Sequence, residues 1–119
     1  MNIKHDRINS IDDLVQKSMD ELLLEVGDII IKNRMGMKQY SHQEIIEIAK
    51  EWFRNNFIKF KVLLCGNERI IHISQSGNTS EAELAIIIAD LIASNVVGVP
   101  VLTASVLLAK IGVNRLCGE

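Results

Sequence analysis

The chain has 119 residues, 48% hydrophobic and 24% charged, with a formal net charge of −2. That length suits one domain over 1–119, and the composition excludes a chain too polar to bury a core. Lysines and arginines are scattered, so the basic stripe expected of a protein that binds nucleic acid polymers is missing.

The opening residues MNIKHDRINS carry no apolar run of the kind that directs secretion, which sets the expectation of a cytoplasmic protein. Ser10 followed by Asp13 resembles a capping box. After it Ile11, Leu14, Val15, Ser18, Met19, Leu22 and Val26 recur at helical spacing, predicting an amphipathic helix. Two continuations are open beyond Gly27. The helix runs on towards Gly36, the reading favoured by the period of Leu23, Val26 and Ile30, or Asp28–Lys32 forms a short strand. The first costs about 1 kcal/mol for a glycine in a helix interior.

Ser41 with Glu44 three positions later opens a second helix, whose core face is Ile45, Ile48, Ala49, Trp52 and Phe53 and which Asn55 and Asn56 end. Aromatic residues are only 4% of the chain, and all five, Tyr40, Trp52, Phe53, Phe57 and Phe60, crowd within about twenty residues, the signature of one packed corner rather than of exposed stacking platforms. The next run, FIKFKVLLCGNERIIHIS, contains two β-rich segments around Cys65-Gly66-Asn67-Glu68. Lys59 and Lys61 alternate with Ile58, Phe60 and Val62, which predicts an antiparallel hairpin.

Ser80 and Glu83 form a further capping box, and the helix behind them, with Leu84, Ile87, Ile88, Leu91 and Ile92, is apolar almost all round. Leu91–Ala109 is uncharged over about the length of a membrane span. Asn95, Gly98 and Pro100 at its centre instead predict a break between two shorter buried elements. Val96–Leu102 reads as a short strand or a connector, and Thr103–Ile111 as a helix ended by Gly112. No membrane association is expected.

Cys65 and Cys117 could form one disulfide, although the expected compartment keeps thiols reduced. Neither has a CxxC partner or a histidine at zinc spacing, so no metal and no cofactor is expected.

These elements predict an α/β (α+β) domain: an antiparallel hairpin, open to extension by a third strand, packed against three to four helices. A two-stranded hairpin is marginal alone. Together with the nearly all-apolar helix it predicts a homo-oligomer, with the C-terminal third as the interface.

The stretch most suggestive of chemistry runs from Ser74 to Thr79. Placed between a strand and a helix N-terminus, Ser74, Gln75, Ser76, Gly77, Asn78 and Thr79 would offer hydroxyl and amide donors to an anion. They would equally make an ordinary turn and helix cap. Glu81 and Glu83 would repel an anion there, so Arg69 or Arg115 is needed as a counter-charge.

ISQSGNT, with the apolar helix and VVGVPVLTAS behind it, resembles the phosphate-binding half of sugar isomerase (SIS) domains. The resemblance implies that Ser74, Ser76, Gly77 and Thr79 hold the phosphate of a phosphosugar and that Val96–Leu102 is the next parallel strand. An isomerase activity lacks assignable acid and base residues: His72 alternates with Ile71 and Ile73 and has no carboxylate to orient it. The primary expectation is therefore a non-catalytic oligomer that binds, and could sequester, a small phosphorylated ligand such as a nucleotide or phosphosugar. The alternative is a protein-interaction module in which the loop is only a cap.

Overall fold

A computed structural model describes residues 11–33, 39–76, 80–96 and 98–118, apart from the side chains at 74–76 and 114. Every regular element among them is a helix. After a helical turn over residues 11–15 come α1 (Met19–Lys32), α2 (His42–Asn55), α3 (Phe57–Cys65) and α4 (Glu68–Ser76). They are followed by α5 (Glu81–Ile92), α6 (Val101–Ile111) and α7 (Val113–Gly118).

The predicted α/β fold is thereby corrected, and the physical reason lies in α3 and α4. Alternation of Ile58, Phe60 and Val62 with lysines would place those three residues on one face of a strand. In the structure Phe60 is 1% exposed, whereas Ile58 and Val62 are 76% and 73% exposed. What is buried follows a helical step: Phe60 with Leu64 on α3, and Ile70 on α4. Asn67, read as a hairpin turn residue, caps α4 instead. Its Oδ1 accepts from the N–H groups of Arg69 at 2.9 Å and Ile70 at 3.2 Å. Local β-propensity has given way to burial of one apolar stripe.

The first predicted helix is divided. Residues 11–15 form a turn that buries Ile11 and Leu14, and Ser18 starts α1 as its N-cap rather than sitting on its core face. Ser18 Oγ accepts from Glu21 N–H at 3.1 Å, and the Glu21 carboxylate accepts from Ser18 N–H at 3.2 Å. The helix then passes through Gly27 to Lys32, so Asp28–Lys32 is helical. The Ser41–Glu44 capping box is present as predicted, with bonds of 3.2 and 3.0 Å.

α5 and α6 form the most extensive helix pair in the molecule, and α1 pairs almost as closely with α2. α6 is the central helix: Thr103 through Ala109 are buried without interruption. It carries two buried hydroxyl residues, Thr103 and Ser105, and Ser105 Oγ donates to the Val101 carbonyl at 2.8 Å. The break predicted near Asn95 is present. α5 stops at Ile92, Gly98 adopts φ +84°, and Pro100 precedes α6. Among the described residues no helix is long and apolar enough to cross a membrane.

This packing also changes the argument for an oligomer. One face of α5, formed by Ala85, Ile88, Ala89 and Ile92, is buried from within the chain, chiefly by α6, while Leu84, Ile86, Ile87 and Leu91 are half-buried.

Candidate functional site

The strand-to-helix corner on which the phosphate loop was built is absent, because α4 continues as helix through Ser76. The side chains of Ser74, Gln75 and Ser76, and all of Gly77, Asn78 and Thr79, lie outside the described residues. At the entrance to α5, Ser80 Oγ already accepts from the Glu83 N–H at 3.1 Å. Glu81 there takes the nearby cation: its Oε1 lies 3.0 Å from Lys110 Nζ, which also donates to the Val15 carbonyl at 2.8 Å. Arg69 is exposed on α4, and His72 is an exposed residue of the same helix. Neither gathers an acid–base partner among the described residues. Among the described residues no three His, Cys, Asp or Glu side chains come close enough to hold a metal ion.

Among the described residues, Arg115 is a predicted site residue that the fold brings to a concavity. A cleft of about 430 Å³ lies between α2 and α3 on one side and α6 and α7 on the other. Phe53, Phe57 and Phe60 form one wall, Leu108, Ile111 and Leu116 the other, with Arg54 and Arg115 as the two charged lining residues. Its size is that of small-molecule sites, and its composition, mostly apolar with a few charged groups, is also theirs.

Local sequence explains how the walls are held. Phe53 and Phe60 belong to the aromatic corner anticipated from the sequence. Trp52 meets Phe53 edge-on at 5.0 Å between centroids, and Phe60 lies 5.7 Å from Trp52 and 5.9 Å from Phe53. Lys61 Nζ sits 5.4 Å from the Phe57 ring centroid. Opposite, Gly112 at φ +97° turns the chain from α6 into α7, which presents Arg115 and buries Val113 and Leu116.

Cys65 on α3 and Cys117 on α7 are bonded, with their Cα atoms 5.5 Å apart. The bond ties the helix carrying Phe57 and Phe60 to the helix carrying Arg115 and Leu116. The sequence left this pairing open and favoured reduced thiols; the structure brings the two together and bonds them.

Arg54 and Arg115 are exposed, and neither has a carboxylate partner among the described residues. The cleft thus combines an apolar floor with two guanidinium groups available to an anion. Arg54 was missed by the sequence reading because it stands on the polar side of an amphipathic helix, where an arginine signals only solvation. Fold and cleft together define a helical protein with an apolar cleft rimmed by two arginines. No protein-family model, curated protein or solved structure matches the chain, so the residues of the cleft carry the functional argument.

Proposed function

We propose that this protein is a non-catalytic binder of a small anionic ligand, held in the cleft between α2, α3, α6 and α7. This keeps the class of ligand expected from the sequence, a small molecule bearing a phosphate or a like group, and moves it from the Ser74–Thr79 loop to Arg54 and Arg115. The observation that carries the reading is the lining itself: six apolar side chains and two arginines, with no carboxylate among them. An anionic head would pair with the guanidinium groups while the apolar body of the ligand displaced water from the phenylalanines. No nucleophile and no acid–base pair lines the cleft, which supports binding rather than turnover.

The test is a titration with 1-anilinonaphthalene-8-sulfonate, an apolar anion whose emission rises on leaving water. Saturable binding at one site per chain is expected, weakened about tenfold by Arg54→Gln combined with Arg115→Gln. Equal binding by the variant, or no saturable signal from the native protein, overturns the reading.

A second reading, a protein-interaction module, is favoured by a separate observation. Ile58 and Val62 stand one helical turn apart on the outside of α3, and Ile71 on α4 is exposed as well. Oligomerisation belongs to this second reading, through that ridge rather than through the C-terminal third. Mass by light scattering separates the cases, since Val62→Glu would convert an assembly built on the ridge into monomer.

A cytoplasmic setting remains part of the proposal. Thiol labelling of the protein as taken from cells tests it: free Cys65 and Cys117 fit a reducing compartment, and an intact bond opposes it.

A further inference from the structure

A second cleft, of about 240 Å³, adjoins the first on the side of α1. The two share Phe53, Arg54 and Ile111, so they adjoin along α2 and α6 and together make up a trough. On the α1 side its walls are Met19 and Leu23 of α1 and Leu107 of α6, with Lys50 also among the lining residues. Lys50 and Arg54 are one turn apart on α2 and therefore share a rim.

Two features of this trough select among anions. Its uncharged lining is hydrocarbon and aromatic throughout; no hydroxyl, amide or carboxylate side chain lines either cleft. A sugar or a nucleobase would leave its polar edges without partners there, at a cost that excludes tight binding. Moreover, two of the large apolar side chains exposed among the described residues, Met19 (38%) and Phe57 (40%), each line a different one of the two clefts. A short ligand would cover only one of them.

We propose that the ligand is a single aliphatic chain bearing a terminal anionic group. The head pairs with Arg54 and Arg115, and the chain passes over Phe53 and Ile111 to reach Met19 and Leu23. This rests on the cleft reading above and narrows it from small anions to linear alkyl anions. Free amphiphiles and the chains of membrane lipids share this chemistry, and the occupant proposed is the free monomer.

Octyl, decyl and dodecyl phosphate, each below its micellar concentration, are titrated against the native protein, Met19→Asp and Arg54→Gln by calorimetry. Each buried methylene strengthens binding about fourfold, so the native protein is expected to favour dodecyl over octyl phosphate by roughly two orders of magnitude. Met19 is exposed at the first position of α1, where an aspartate suits the helix dipole, so Met19→Asp folds. It should bind octyl phosphate like the native protein and lose most of the advantage of the longer chains. Arg54→Gln should weaken all three alike.

Binding of all three with no dependence on length overturns the trough while leaving the cleft reading intact. Failure of every alkyl phosphate to bind overturns both. Binding only to vesicles of equal parts phosphatidylcholine and phosphatidylglycerol, and not to monomeric chains, replaces the free ligand with a membrane surface and overturns the proposal.

Discussion

Gly27, in the middle of α1, lies directly against the backbone of Ile45 in the first turn of α2. A Cβ placed on Gly27 would come within 3.1 Å of the Ile45 carbonyl carbon and closer still to its oxygen and Cγ2. The glycine that costs helix propensity is therefore what lets α1 and α2 pack closely.

Two effects compete in Gly27→Ala. Alanine gains about 1 kcal/mol of helix propensity. The clash opposes it and involves a carbonyl that cannot swing away as a flexible side chain would, so overpacking of about 1–3 kcal/mol should prevail. A lowered melting temperature is expected. Gly66→Ala is the control, because no atom lies within 4 Å of the added methyl and φ is −93°; it should melt like the native protein or slightly higher.

Reduction should destabilise the fold. The Cys65–Cys117 bond closes a loop with a sequence separation of 52 and joins α3 to the terminal helix α7. Loop entropy assigns such a cross-link about 4 kcal/mol, and measured values for comparable bonds run at about 2–4 kcal/mol. Denaturant melts with and without reductant should differ by that amount. Cys65→Ser with Cys117→Ser should melt at the reduced value and ignore reductant; coincident curves for oxidised and reduced native protein would contradict this.

Asn67 discriminates between a helix start and a hairpin turn. As the cap of α4 its side chain satisfies two backbone N–H groups, so Asn67→Ala should cost about 1 kcal/mol. Asn67→Gly, which a tight turn would welcome, should give no gain. Far-ultraviolet circular dichroism of both variants should keep the helical spectrum of the parent.

Lys110 holds three segments together: it is carried by α6, donates to the carbonyl of Val15 at the end of the first helical turn, and pairs with Glu81 at the start of α5. The lysine is largely covered, while Glu81 is exposed enough for water to screen it. Lys110→Met should cost about 1–2 kcal/mol, mostly from the unpaired Val15 carbonyl and the stranded carboxylate. Adding Glu81→Gln should recover part of that loss, measured as a double-mutant cycle in urea.

Serine–glutamate pairs at 41/44 and 80/83 marked two helix starts from sequence alone, because a cap is a local hydrogen-bond pattern within four residues. The end of the α5 run was equally legible, since Asn95, Gly98 and Pro100 interrupt any helix whatever surrounds it. The aromatic corner followed from crowding along the chain.

Residues 57–76 were decided elsewhere. Their β-branched and aromatic residues fit a strand period as well as a helical one over so short a stretch, and only the surrounding core chose to bury Phe60, Leu64 and Ile70 and leave Ile58 and Val62 in water. The cleft was beyond local reading for the same reason. Its residues come from four helices, Arg54 and Arg115 stand more than sixty positions apart, and a solvated arginine on α2 comes to line a cleft with Arg115 only when α7 folds back across it. Capping and chain breaking act over a few residues and are written locally; burial and concavity are properties of the assembled chain.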